Sequence, residues 1–209
     1  MGNEEYKKII DNQSGIYDKQ RVNLYFIKTS NLIKELVPKG KTVIEIGSGT
    51  GLHIIDLVKT GRYGIGVDYS KKMISISNQN ARKAGVDCKF ILADVENSIP
   101  LKQKFDYAVL IGPWEYFENP ARVLQNIKKI LNKNGKVIIN THNMLFWPLI
   151  AFCEKIGIKK LSHSFWYFNS IKSRLKKYAK NAGFVIEKSL FNYYFLDKVY
   201  ILKKKIIST

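Results

Sequence analysis

The stretch Val43–Gly51, reading Val-Ile-Glu-Ile-Gly-Ser-Gly-Thr-Gly, limits what this chain can fold into more than any other segment. Val43, Ile44 and Ile46 predict a short buried strand. Gly47, Gly49 and Gly51 predict a turn whose backbone meets a ligand, because glycine tolerates φ > 0 and puts no Cβ in the way. Leu52–Val58 predicts an apolar helix whose N-terminal N–H groups face the same space, an end that favours a carboxylate or phosphate. Strand, glycine turn and helix in this order open a doubly wound α/β sheet with a nucleotide-type site. A tight turn that holds no ligand is the plain alternative.

The spacing of the glycines separates two ligand classes. A dinucleotide fingerprint, G-x-G-x-x-G, needs its third glycine where helix meets strand. Counted from Gly47, that position is Leu52. The chain reads Glu45-x-Gly47-x-Gly49-x-Gly51 instead, which argues against a nicotinamide oxidoreductase.

The remaining chain supplies further stations of the same sheet. Residues 3–37 predict a helical cap with a break near Asn12–Asp18, in which Tyr17 and Tyr25 could close over a ligand or simply pack. Gly64–Asp68 predicts a second strand that ends in an acid about 20 residues past the turn, where ribose-binding acids sit. Ser70 predicts the cap of a helix that Gly85 stops. Cys88–Ala93 predicts a third strand running into Asp94-Val95, where the acid could accept from an exocyclic amine or cap a turn. Phe105–Ile111 predicts a central strand, being almost continuously apolar, and Gly112-Pro113-Trp114-Glu115-Tyr116-Phe117 breaks it. Pro120–Leu131 predicts a helix, Asn134-Gly135 a turn, and Lys136–Thr141 a fifth strand. Ser170–Ala182 predicts a basic helix, and Phe184–Leu190 with Lys198–Ile206 a closing pair of strands.

Four stations, Glu45–Gly51, Asp68, Asp94-Val95 and the strand Phe105–Ile111 with its exit, together resemble the class I S-adenosylmethionine (SAM)-dependent methyltransferases. The likeness is strongest to the small-molecule group that includes ubiquinone- and menaquinone-type enzymes. It covers residues 40–142 well and 183–206 by architecture only. It implies an α/β, doubly wound Rossmann-like seven-stranded sheet with a C-terminal antiparallel hairpin and an N-terminal helical cap. The expected organisation is a single domain over 1–209: a cap over 1–40, a SAM-binding core over 41–142, a substrate lid over 143–169, and a closing helix and hairpin over 170–209.

The resemblance also implies roles. Gly47, Ser48, Gly49 and Gly51 would form the turn that admits the methionine part of SAM, and Glu45 would orient that turn and reach the amino group. Asp68 would hold the ribose hydroxyls, and Tyr69 would lie along the adenine. Asp94 would take the adenine amine and the Val95 N–H the ring. The carbonyl of Ile111 or Gly112 would receive the methionine ammonium.

A sulfonium-bound methyl is already activated, so the protein mainly aligns an acceptor and excludes water. A hydroxyl acceptor gains from a general base within hydrogen-bond reach. His142, Glu115 and Tyr116 at the strand-exit edge are the candidates, with His163 in the lid behind them. Each has a plainer reading as a packing or loop-orienting residue, and His53 on the first helix reads as structural. The Asn/Asp-Pro-Pro-aromatic motif of amino-methylating DNA enzymes is replaced by Gly112-Pro113-Trp114-Glu115. No Pro-Cys nucleophile is present, and no Cys/His set has zinc spacing, so no metal is expected.

Charge bears on the partner. The chain carries +18 net charge, +14 of it in residues 101–209. A basic half suggests a polyanion, either nucleic acid or an anionic membrane. Lysine supplies most of the positive charge, which a biased composition would also produce. Between Met144 and Phe168 the chain is rich in aromatics and borders the basic helix, which suits a small apolar or lipid-like amphiphilic acceptor. An RNA or ribosome methyltransferase using the basic half, and a non-catalytic SAM-binding partner protein, are the alternatives. Two cysteines without ligand spacing and an acidic, polar start predict a cytoplasmic protein with an option of peripheral membrane contact.

Overall fold

The computed structural model describes residues 24–143, 171–192 and 197–205. The expected lid, His163 and Tyr17 lie outside the described residues, apart from Asn143 at the lid's first position. The elements, in chain order, are α1 (Leu24–Leu36), β1 (Thr42–Ile46), α2 (Leu52–Lys59), β2 (Tyr63–Asp68), α3 (Lys71–Ala84) and β3 (Lys89–Leu92). They continue with β4 (Phe105–Ile111), a 3₁₀ turn (Trp114–Tyr116), α4 (Pro120–Ile130), β5 (Leu131–His142), α5 (Lys172–Asn181), β6 (Phe184–Asn192) and β7 (Asp197–Lys204).

The strands form one seven-stranded sheet in the order β3-β2-β1-β4-β5-β7-β6. β1 to β5 pair in parallel, and β7 lies antiparallel between β5 and β6. This is the expected doubly wound sheet with its closing hairpin.

Alternation along the central strands feeds two cores. Ile44 and Ile46 of β1, Ala108 and Leu110 of β4, and Val137 and Ile139 of β5 face the layer of α4 and α5. Val43, Val109, Ile111 and Ile138 face the layer of α1, α2 and α3. Both faces are covered, which is why the strands read as continuous apolar runs rather than as alternating ones.

Helix limits follow local chemistry. Ser70 Oγ accepts the Met73 amide at the start of α3, and Gly85 closes that helix at φ 66°. Asn119 caps α4, with Pro120 at its first turn.

At α1 and α2 the ends are held from outside. The buried Arg62 guanidinium donates to the carbonyls of Lys34, Val37 and Thr60, so one cation serves the C-terminal ends of both helices.

One expected turn is different. β5 begins at Leu131, paired with Phe105, and the register shifts before Lys136 pairs with Tyr107. Asn134-Gly135 therefore belongs to a bulge in the ladder. The Asp106 carboxylate organises it, accepting from Asn132 Nδ2 and from the Thr42 amide and hydroxyl.

Candidate functional site

Parallel strands end together, and β7 runs the other way, so its first residue reaches the same edge. That edge gathers Gly47, Asp68, Gly112, His142, Asn192 and Asp197 beyond or at the strand ends.

The glycine turn folds back over β2. The amides of Gly47 and Ser48 both donate to Val67 O, at 2.8 and 3.0 Å. Gly47, Gly49 and Gly51 have φ of 67°, 52° and 80°, the left-handed region. A Cβ on Gly47 would lie 2.7 Å from Pro113 Cβ, and one on Gly51 would lie 2.6 Å from the Phe90 ring. The turn is thus clamped between the β4 exit and β3.

Glu45 is buried beneath this turn, and its Oε2 accepts the Ile54 amide at 3.1 Å. Gly51 is the N-cap of α2 and has no side chain, so Glu45 fills the capping role from the adjacent strand.

Asp68 is buried at the end of β2. Its Oδ2 accepts the Gly49 amide at 2.8 Å and its Oδ1 the Ser70 amide at 2.9 Å. The Ala93 amide donates to its carbonyl. One residue therefore ties the glycine turn, α3 and the exit of β3 together. Tyr69, the expected adenine neighbour, is half-buried.

Asp94 accepts the Glu96 amide at 3.0 Å and heads a turn in which its carbonyl takes the Asn97 and Ser98 amides. Asn126 of α4 holds the carbonyl of buried Val95 at 2.9 Å. Gly112 turns the chain after Ile111 at φ 92°.

The expected catalytic candidates separate. Glu115 is buried, and its Oε1 accepts from Thr141 Oγ1 at 2.6 Å and from the His142 amide at 3.0 Å. It clamps the end of β5 to the β4 exit. Tyr116 is half-buried, and its amide donates to Pro113 O. Trp114 lies fully buried, edge-on to Phe117 and Tyr178.

His142 differs: its side chain is 45% exposed, while its Nδ1 lies 3.0 Å from Oδ1 of Asp197, which is 2% exposed. The other Asp197 oxygen accepts from Asn140 Nδ2 at 2.9 Å. Asn140 Nδ2 also donates to the Tyr25 hydroxyl at 2.9 Å, so Tyr25 of α1 reaches this end of the sheet. His53 bonds elsewhere, its Nδ1 2.8 Å from Ser30 Oγ and its ring tilted against Phe26.

Asp197 and Asn140 escape the sequence reading. The available signal is weak: Asn140-Thr141-His142 is a polar run ending an apolar strand, and Asp197 opens another.

The residues fit the SAM of the resembling family. Ser48 Oγ is buried without a hydrogen-bond partner among the described residues, and side chains at Gly47 or Gly51 would collide with their neighbours. Asp68 and Asp94 are acceptors at the ends of adjacent strands, matching the hydroxyl and amine donors of a nucleoside.

Sequence comparison agrees. A family described as "Methyltransferase domain" matches residues 38–195. An uncharacterised protein of Methanocaldococcus jannaschii is 34% identical over 65% of this chain and 57% of its own length. A ubiquinone biosynthesis O-methyltransferase of Coxiella burnetii is 26% identical over 57% of this chain and 51% of its own. The chain spans about half the length of the curated relatives it matches. The magnesium protoporphyrin IX methyltransferase of Synechocystis, solved with bound SAH, superposes with a TM-score of 0.71 at 16% identity, covering 95% of this chain and 100% of that one. With the family match spanning most of the sheet and the seven-stranded topology in place, this chain belongs to the methyltransferase-domain family and has the class I SAM-dependent methyltransferase fold.

Proposed function

We propose that this chain transfers a methyl group from SAM to an oxygen or nitrogen of a small apolar or amphiphilic acceptor, and that His142 takes the acceptor's proton. The observation that carries this reading is the pairing of an exposed histidine with a buried carboxylate at the carboxyl edge of the sheet. Ile111 pairs with Asn140, so His142 stands two residues further along the strand, level with Pro113, which the glycine turn adjoins at Gly47.

When bound, SAM supplies a methyl group already activated on a sulfonium sulfur. The chain's own residues do the rest. Gly47, Ser48, Gly49 and Gly51 present backbone to the methionine part, and Glu45 keeps that turn and α2 in register. Asp68 accepts from the ribose and Tyr69 lies along the adenine. Asp94 and the Val95 amide recognise its edge, while the Ile111 or Gly112 carbonyl takes the ammonium. Glu115 fixes the His142 backbone rather than reaching the acceptor, and Tyr116 stays on the same loop.

The likeness to proteins named as ubiquinone biosynthesis O-methyltransferases supports an oxygen acceptor. The exposed cations of α5, with Leu175 and Ala179 turned inward, support contact with an anionic membrane where such an acceptor is met. No helix among the described residues is long and apolar enough to cross a membrane.

The test is transfer from methyl-labelled SAM into an extract of the source cells, partitioned into organic phase, aqueous metabolites, protein and RNase-sensitive material. Label in the organic phase supports the proposal. Label in the RNase-sensitive material replaces it with an RNA acceptor. SAM binding with no label in any fraction replaces it with a cofactor-binding partner protein. Binding to anionic vesicles at low salt, absent with neutral ones, tests the membrane contact.

A further inference from the structure

We infer that Asp197 is the positioning residue for His142, and that Asn140 locks it in that role; this rests on the reading of His142 as the proton acceptor. The geometry is specific. Strands β5 and β7 pair antiparallel with His142 opposite Asp197 and Asn140 opposite Val199. Side chains at 140, 142 and 197 all lie on the α1 side of the sheet, because Ile138 and Val199 of the same alternation pack in that core.

The Asp197 carboxylate is divided between two donors. Oδ1 faces His142 Nδ1 at 3.0 Å and Oδ2 takes Asn140 Nδ2 at 2.9 Å. A buried carboxylate held at both oxygens cannot turn away from the imidazole.

The Asn140 amide orientation follows from its neighbours. Its Nδ2 must face the carboxylate, since an amide oxygen there would repel it. Both of its N–H bonds then go to Asp197 and Tyr25, and its Oδ1 is buried without a partner among the described residues.

A carboxylate facing Nδ1 selects the tautomer of the neutral ring. The proton sits on Nδ1 and donates to Asp197, which leaves the lone pair on Nε2 as the proton acceptor. An acceptor hydroxyl would give its proton to Nε2 as its oxygen takes the methyl group, whereas a neutral amine would take the methyl group with its lone pair and then give up a proton to Nε2; in either case the S–CH3 bond would break with its electron pair left on sulfur as a neutral thioether. The resulting imidazolium would be stabilised by the adjacent Asp197 carboxylate. Among the described residues, the charged or titratable neighbours linked to this pair include Tyr25 from α1 through Asn140, and Glu115 from the 3₁₀ turn through the His142 amide.

The test is nitrogen-15 NMR of the histidine rings in the full chain, assigned by loss of the His142 signal in His142→Gln. Above the imidazole titration, the wild type is expected to show His142 with its proton on Nδ1. Asp197→Asn is expected to abolish that preference. Asp197→Glu is expected to retain part of it. A wild-type ring protonated on Nε2, or an Asp197→Asn spectrum unchanged at His142, overturns the inference. Calorimetric titration with SAM runs alongside: failure to bind SAM would sink the methyltransferase reading while leaving the His142 tautomer result standing. Where label transfer has identified an acceptor fraction, Asp197→Asn is expected to lower kcat about 10²-fold with KM for SAM unchanged.

Discussion

Glu45 Oε2 accepts the amide of Ile54 at 3.1 Å, joining the end of β1 to the first turn of α2. The glycine turn between them has no side chain able to do this at its N-cap, Gly51. The acid of the glycine motif therefore has a folding role that precedes any contact with a ligand. Glu45→Ala leaves a buried amide unpaired and is expected to cost about 1–3 kcal/mol in urea unfolding. Glu45→Gln keeps an acceptor and should cost less. Equal losses for the two variants would show that the carboxylate's charge, not its hydrogen bond, is what matters.

Gly47 and Pro113 touch across the strand ends. Alanine at 47 would meet both a left-handed φ and a Pro113 carbon at 2.7 Å. The two effects together are expected to destabilise the fold by about 2–4 kcal/mol. SAM affinity should fall at least tenfold by calorimetry, since the displaced loop is the one that would receive the methionine part. Normal SAM affinity in a folded Gly47→Ala variant would remove this turn from the cofactor site.

Arg62 serves the opposite end of the molecule. Its guanidinium holds the ends of α1 and α2 through Lys34, Val37 and Thr60. Arg62→Ala is expected to cost about 3 kcal/mol, because several carbonyls lose a charged donor at once. Arg62→Lys recovers little, since an ammonium cannot span the three carbonyls as a planar fork does. SAM affinity, measured on the folded fraction, is expected to stay within about twofold for both variants, the site lying at the other sheet edge.

Asp106 sets part of the acid stability. Burial pushes its carboxyl up, but the Thr42 amide, the Asn132 side chain, the Thr42 hydroxyl and Lys41 outweigh that and hold it below its ordinary 3.8. A carboxyl with a depressed folded value stabilises the native state above its unfolded value, and that stability disappears as pH falls through the folded value. Urea midpoints of the wild type are therefore expected to drop below about pH 4. Asp106→Asn should flatten that acid arm and leave a lower, less pH-dependent plateau. An unchanged acid arm would assign it to other carboxylates. Glu187 is the first to examine, held low by its hydrogen bond to Lys136 against the opposing effect of burial.

What the sequence determines by itself is local. The positive-φ glycines of the turn, the Ser70 and Gly85 ends of α3, the proline start of α4 and the doubly covered strands all follow from backbone conformation and apolar run length within a few residues. The strand-end positions of Gly47, Asp68 and Asp94 are legible for the same reason: each follows an apolar strand and carries an adjacent turn. The tertiary structure decides what those local rules cannot reach. Asp197 meets His142 across 55 residues, Asn140 meets Tyr25 across 115, and Asn192 meets Thr29 across 163. Each contact depends on the antiparallel register of β5 and β7 or on where α1 docks, and a one-residue slip of a strand would turn every such side chain to the other face. The same limit applies to the acids. Glu45, Glu115 and Asp197 are similar residues in the chain, and only burial and partner distance separate a helix cap, a loop clamp and an orienter of His142.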